Sequence, residues 1–144
     1  MEMSELRSDC PINYVLELVG DRWSLLILRD LIFDNKKSYS DFLTSQEKIA
    51  TNILASRLTR LEDEGFIQKR PGSTNKARYT YVLTPMSIDL VPMFIEMILW
   101  SDKYSSIPVP PERQDDLRKV KADKQAFIAE VQERLRATDA EIAL

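Results

Sequence analysis

The apolar positions between Ala50 and Glu64 recur every three to four residues, which predicts an amphipathic helix that ends at Gly65. The core side of this helix carries Ile53, Leu54, Leu58 and Leu61, with Arg57 at its edge. The opposite side carries mostly small hydrogen-bonding residues, namely Asn52, Ala55, Ser56 and Thr59, with Arg60 at the margin. A solvated helix more often carries Glu and Lys there. Such a face needs no function of its own, but it suits a helix that enters a groove.

Two runs rich in β-forming residues follow this helix, at residues 66–70 and 78–83, and residues 71–77 form the turn between them. Basic residues concentrate in this hairpin: Lys69, Arg70, Lys76 and Arg78. A short helix within residues 38–43, with Ser40 as its expected N-cap, precedes the longer helix and forms the first helix of a helix-turn-helix. A helix followed by a basic-tipped hairpin is the winged helix-turn-helix arrangement, so the fold class is α+β and mostly helical.

Two helices are predicted before this motif. The first runs from Pro11 to Val19, with Cys10 as its N-cap and Gly20 as its end. A helix N-terminus favours a thiolate, so Cys10 is either a small buried residue or a redox-responsive thiol. The second helix runs from Arg22 to Phe33, with Asp21 as its N-cap. Its core stripe consists of Trp23, Leu26, Ile27 and Leu31.

The pattern after residue 84 predicts further helices. A helix restarts at Thr84-Pro85, and Pro92 is expected to kink it. Nine of the eleven residues from Leu90 to Trp100 are apolar, more than one face of a surface helix can bury. This segment is therefore either a homodimer interface or completely buried within one subunit. Residues 105–111 form a proline-containing linker, and residues 112–144 form one long helix that packs on the first helix or on a partner subunit, or is only loosely attached.

The composition and the charge distribution argue against several classes of function. The 144 residues fit one soluble domain, and no stretch resembles a signal peptide or a membrane span, so we expect a cytoplasmic protein. The net charge is −3, yet residues 36–78 hold nine basic and five acidic residues, so positive charge concentrates around the predicted motif. With no histidine, one cysteine and three glycines, the sequence predicts no zinc site, no phosphate-binding loop, no cofactor and no enzymatic activity.

Several segments in fixed order resemble the HxlR-type winged-helix regulators, which are relatives of the MarR group. They are Cys10-Pro11-Ile12, residues 18–23 (LVGDRW), 26–31 (LILRDL), 39–42 (YSDF), 53–58 (ILASRL), 61–62 (LE), 65–67 (GFI) and 79–84 (YTYVLT). The resemblance covers residues 10–104, between a flexible arm at residues 1–9 and the linker. Alanine at position 50 replaces the serine that often caps the recognition helix in the family, so Thr51 is the expected cap.

The resemblance implies a bacterial transcriptional regulator that binds double-stranded DNA as a homodimer, with N- and C-terminal helices pairing the subunits. The helix from Ala50 would enter the major groove, and the hairpin tip would approach the minor groove or the backbone. Cys10 matches a cysteine that some members use to sense oxidants or electrophiles, so a small-molecule or electrophile effector is a possible partner. The alternative is a winged-helix protein-interaction module without a DNA operator.

The predicted DNA contacts combine affinity with specificity. Asn52 and Ser56 would read base edges, and the basic side chains would neutralise phosphates. The complete set is Ser40, Lys48, Thr51, Asn52, Ala55, Ser56, Arg57, Thr59, Arg60, Asn75, Lys76 and Arg78.

Overall fold

The computed structural model describes residues 6–72 and 78–143, the last five of them by their backbone only. The chain forms two compact units, Met1–Thr84 and Pro85–Leu144. In the described residues, the first holds four α-helices and a two-stranded antiparallel sheet, and the second is helical. The predicted class, mostly helical α+β, is confirmed.

The first unit has the element order of a winged helix-turn-helix. Its elements are α1 (Pro11–Val19), α2 (Arg22–Phe33), α3 (Tyr39–Phe42), α4 (Thr51–Asp63), β1 (Ile67–Pro71) and β2 (Tyr79–Leu83). The sheet pairs Ile67 with Leu83 at one end and Pro71 with Tyr79 at the other. Fully buried apolar side chains from α2, α3, α4 and β1 form the core: Leu28, Ile32, Phe42, Leu54, Leu61 and Ile67.

Local signals set most of the helix ends. Cys10 is the N-cap of α1, and Asp21 caps α2 by accepting a hydrogen bond from the backbone N–H of Ser24 at 3.0 Å. After α4, Gly65 has a φ of 84°, and the N–H of Phe66 donates to the carbonyl of Leu61 at 2.8 Å. This is a left-handed helix end that favours glycine. The predicted ends of α1 and α2 and the predicted C-terminal end of α4 are confirmed.

Three predictions about the first unit are wrong. The N-cap of α3 is Ser38, whose hydroxyl accepts from the N–H of Asp41 while Asp41 accepts from the N–H of Ser38, so Ser40 is not the cap. Ala50 is the N-cap of α4 without a side-chain hydrogen bond, and Thr51 is the first helical residue. In the predicted core stripe of α2, Ile27 and Leu31 are buried as expected, but Trp23 and Leu26 are only half-buried.

The second unit contains α5 (Pro85–Ile88), α6 (Val91–Tyr104), a 3₁₀ turn (Pro111–Arg113), α7 (Gln114–Ala122) and α8 (Lys124–Ala143). Pro92 lies in the first turn of α6, so it follows a helix break instead of kinking one continuous helix. This agrees with the tolerance of proline at helix starts.

The single long helix predicted after residue 112 is also wrong. Asp123 adopts an extended conformation after α7, and its carboxylate accepts from the N–H of Ala126 at the start of α8. The predicted apolar stripe is largely buried across both helices, at Val120, Phe127, Ile128, Val131 and Leu135, whereas Leu117 is half-buried.

Helix α6 buries only part of its apolar surface. Val91, Phe94 and Ile95 are at most 6% exposed, whereas Met97 is 49% and Trp100 67% exposed. Complete burial of this segment within one subunit is therefore excluded. Among the described residues, no helix combines the length and the hydropathy that a membrane span needs.

Candidate nucleic-acid interface

Helix α4 separates a buried side from an open one. Leu54, Leu58 and Leu61 are at most 3% exposed and fix the orientation of the helix on the core. Five of the α4 positions predicted to face DNA are exposed, whereas the two arginines of the set are half-buried: Thr51, Asn52, Ala55, Ser56 and Thr59 against Arg57 and Arg60. This face is therefore accessible along about two and a half turns, with side chains short enough for close approach to a groove.

The polar groups on this face differ in their partners. The hydroxyl of Thr59 donates to the carbonyl of Ala55 at 3.0 Å, so it bonds along its own helix. Asn52 stands one residue after the start of α4 and offers both a carbonyl acceptor and an amide donor. Asn52 and Ser56 are consequently the side chains best placed for contacts to base edges.

The two arginines of α4 also bond within the protein. The Nε of Arg57 lies 2.9 Å from Oδ1 of Asp21, and an Nη of Arg60 donates to the carbonyl of Glu17. Burial raises the pKa of Asp21, but hydrogen bonds from Ser24 and Arg57 outweigh burial and hold the pKa below its ordinary value. Both guanidinium groups are thus positioned by α1 and α2 while they remain partly exposed.

The turn before α4 is attached to α2 by buried and half-buried polar side chains. Asp30, 3% exposed, accepts from the hydroxyl of Ser45 at 2.6 Å and from the guanidinium of Arg29 at 2.7 Å. Arg29 also donates to Glu47. The hydrogen bond to Glu47 raises the pKa of Arg29, and the same bond lowers the pKa of Glu47. Sequence reasoning did not single out these residues.

Lys48 and Ser40 are both exposed, as expected for DNA-contacting residues. Lys48 has a φ of 56°, an uncommon conformation for a residue other than glycine. The hydroxyl of Ser40 lies 3.2 Å from that of Ser38. Sequence reasoning also missed Tyr39, whose hydroxyl donates to the carbonyl of Thr51 and so ties α3 to the first residue of α4.

The hairpin of β1 and β2, which is the wing, carries further basic side chains. Arg78 is exposed, while Asn75 and Lys76 lie outside the residues that the structure describes. The ammonium group of Lys69 lies 4.2 Å from the centroid of the Tyr79 ring, a cation–π contact between two exposed side chains of the paired strands. Lys69 was not among the predicted contacts, and it adds positive charge at the base of the wing.

Cys10 is exposed at the N-cap of α1, so the interpretation of a buried residue is wrong. Its backbone N–H donates to the hydroxyl of Ser8 at 3.4 Å. The thiol is therefore accessible to solutes in the described structure.

A sequence profile described as HxlR-like helix-turn-helix matches residues 18–107. The chain belongs to this family. HTH-type transcriptional regulator Rv3095 of Mycobacterium tuberculosis is 34% identical over 100 residues, which cover 69% of this chain and 62% of the relative. The chain thus spans less than two thirds of that relative. The relatives in this family are named as transcriptional regulators and not as enzymes, in agreement with the prediction of no enzymatic activity.

Solved structures share the fold. PA1607 has a TM-score of 0.63 and 31% identity, with 72% of this chain and 71% of that chain covered. The reduced form of the transcriptional regulator YodB from Bacillus subtilis has a TM-score of 0.55 and 27% identity, with 69% and 97% covered. The quinone-bound form of YodB has a TM-score of 0.54 and 29% identity, with 66% and 99% covered. The resemblance to HxlR-type regulators is thereby confirmed.

Proposed function

We propose that this protein is a sequence-specific DNA-binding transcriptional regulator that acts in the cytoplasm as a homodimer on a two-fold-symmetric operator. One observation carries the proposal: the exposed side of α4 consists mostly of small hydrogen-bonding residues, and exposed basic side chains flank this helix in the sequence, Lys48 before it and Lys69 and Arg78 after it. Such a helix can lie in the major groove with its backbone close to the bases. Family membership supports the same function.

In this function the residues of the first unit divide into two roles. Asn52 and Ser56 contact base edges, where asparagine suits adenine and serine accepts several partners. Lys48, Arg57, Arg60, Arg78 and, by the sequence prediction, Lys76 neutralise phosphates, so that affinity falls steeply with salt. Ser40, Thr51, Ala55, Thr59 and Asn75 complete the predicted surface by hydrogen bonding or close approach.

The homodimer is supported by exposed apolar side chains on two helices. On α6, Met97, Trp100 and Tyr104 follow a spacing of three and four residues and are 49–67% exposed. On α1, Ile12 and Leu16 are 71% and 59% exposed at a spacing of four residues. Burial of either apolar surface against a second copy of the chain would be favourable. Two subunits would place their recognition helices about 34 Å apart, one turn of DNA.

Selection of a random double-stranded DNA library on the reduced protein, near physiological salt, tests the proposal. We expect an enriched motif with two-fold symmetry and half-sites about 10 base pairs apart. An unenriched library, with binding that stays weak as salt is lowered, would contradict the proposal. That result would favour the protein-interaction module without a DNA operator.

We further propose that an electrophile regulates DNA binding through Cys10. It is supported by the exposed Cys10 thiol and by the quinone-bound structure of the relative YodB. Treatment with a quinone should weaken operator binding by wild type and leave Cys10→Ser unaffected, as measured by titration before and after treatment. A full response by Cys10→Ser would show that the thiol is not the sensor.

A further inference from the structure

A buried polar network lies directly in front of the recognition helix. The carboxylate of Asp30 on α2 accepts from Arg29, with Nη2 and Oδ1 2.7 Å apart, and from Ser45, with Oγ and Oδ2 2.6 Å apart. The ammonium group of Lys36 donates to the same serine hydroxyl at 2.7 Å. Ser45 is 8% exposed. Its hydroxyl therefore joins α2, the following loop and the turn of the helix-turn-helix.

A second connection joins α2 to the same turn. The guanidinium of Arg29 donates through Nη1 to Oε2 of Glu47 at 2.7 Å and through Nη2 to Oε1 at 2.9 Å. A two-pronged arginine–carboxylate pair restricts direction as well as distance. Residues 45 and 47 are thus both fixed to neighbouring residues of α2.

The next residue shows why this turn needs support. Lys48 has a φ of 56°, and its N–H donates to the carbonyl of Ser45 at 3.1 Å. A left-handed conformation is unfavourable for lysine and persists where the surrounding structure imposes it. Lys48 precedes the first residue of α4 by three positions. The network therefore determines how the chain enters the recognition helix.

We infer that Asp30, Arg29, Ser45 and Glu47 are positioning residues for base recognition, because they set the direction in which α4 presents Asn52 and Ser56. This inference rests on the proposed function. Base-edge contacts require defined geometry, whereas long basic side chains contact phosphates in many orientations. Loosening the turn therefore lowers operator affinity more than affinity for random DNA.

Ser45→Ala is the direct test, with Ser45→Thr as the variant that keeps the hydroxyl. Ser45 lines a small groove together with Trp23, Phe42 and Ile49. Ser87→Ala is the matched control, since Ser87 is a buried serine of the second unit. Glu47→Gln is a second variant at an exposed position, where folding is not at risk.

Two quantities are measured for each variant: the ratio of Kd values on a scrambled duplex and on the enriched operator, and amide hydrogen exchange in residues 44–50. Ser45→Ala should lower the ratio about three- to tenfold, the equivalent of one hydrogen bond, and speed exchange in the turn. Glu47→Gln should also lower the ratio of Kd values and speed exchange in the turn. Ser45→Thr and Ser87→Ala should match wild type in both.

The outcomes separate this inference from the proposed function. A wild-type protein that selects an operator, together with an unchanged ratio and unchanged exchange in Ser45→Ala and Glu47→Gln, would overturn the positioning role and leave the function intact. Loss in Ser45→Thr equal to that in Ser45→Ala would also overturn it, because the hydroxyl would then be irrelevant. A wild type with no preferred duplex would overturn both the function and the role.

Discussion

At the scale of single residues, base recognition is expected to depend most on Asn52. Its side chain is exposed near the start of α4, and its amide matches the donor and acceptor of adenine in the major groove. Asn52→Ala should cost about 1–3 kcal/mol on the operator and relax the preference at one base position. Titrations on the operator and on a scrambled duplex measure both effects, with the exposed Gln125→Ala as control. Equal losses on the two duplexes would exclude Asn52 as a base reader.

The carboxylate of Asp41 links the stability of the first unit to pH. It accepts from the N–H groups of Lys37 and Ser38, both at 3.1 Å, and the hydrogen bond from Lys37 contributes most to lowering the pKa of Asp41. A lowered pKa means that the stabilisation is present above the unfolded value near 3.8 and is lost as pH falls through the folded value.

Asp41→Asn should therefore destabilise the protein by about 1 kcal/mol at pH 7, because the backbone N–H groups lose a charged acceptor. The difference from wild type should shrink as pH is lowered below 4, since the wild-type carboxylate is then protonated. Urea denaturation at a series of pH values measures this trend, and Asp63→Asn, at an exposed carboxylate of α4, is the control. A difference that stays constant with pH would mean that ionisation of Asp41 does not contribute.

At the scale of elements, periodicity and end signals predicted α1, α2, α4 and the hairpin because these elements depend on local sequence. Two of the errors arose where local signals competed. Ser38 and Ser40 are both suitable caps for α3, and the choice depends on Asp41 three residues after Ser38, a capping-box spacing that is present in the sequence. Asp123 ends one helix and caps the next, which the continuous apolar stripe concealed.

The polar network at the turn lay beyond prediction for a different reason. Asp30 and Ser45 are 15 residues apart in sequence, and Arg29 and Glu47 are 18 apart. No periodicity links such pairs, so they become visible only when α2 and the turn pack together. The bond between Arg57 and Asp21 could not be predicted for the same reason. The sequence predicted a phosphate contact for Arg57 and a helix cap for Asp21, but not the bond that joins them.

The ion pair between α2 and α4 should stabilise the first unit measurably. The side chains of Arg57 and Asp21 are 30% and 29% exposed at a separation of 2.9 Å. A double-mutant cycle with Asp21→Asn and Arg57→Gln should give a coupling energy of about 0.5–1 kcal/mol in urea denaturation. Arg118 and Asp115 are the control pair, at 3.1 Å but 71% and 68% exposed, and their coupling should be near zero. Equal coupling in both pairs would contradict the role of partial burial.

At the scale of the whole molecule, DNA binding and self-association are expected to depend on different parts of the chain. Residues 36–78 carry a net charge of +4 and the remaining residues −7. The phosphate-contacting charge thus belongs to the first unit. The second unit offers its apolar surface on α6, where the rings of Trp100 and Tyr104 lie 5.0 Å apart. Association through that surface would double the number of recognition helices on one DNA molecule.

Trp100→Glu tests this division. Trp100 is 67% exposed, and a buried tryptophan is often a dominant contact in an interface, so the substitution should weaken dimerisation at least about tenfold. Sedimentation velocity over a range of concentrations measures the change, with Gln125→Glu as an exposed control on α8. The weakened protein should still bind a single half-site, because Asn52 and Ser56 are unchanged, but should lose most of its affinity for the full operator. A dimer as stable as wild type would exclude this surface of α6 and would direct the search to Ile12 and Leu16 on α1. A monomeric wild type would contradict the homodimer itself.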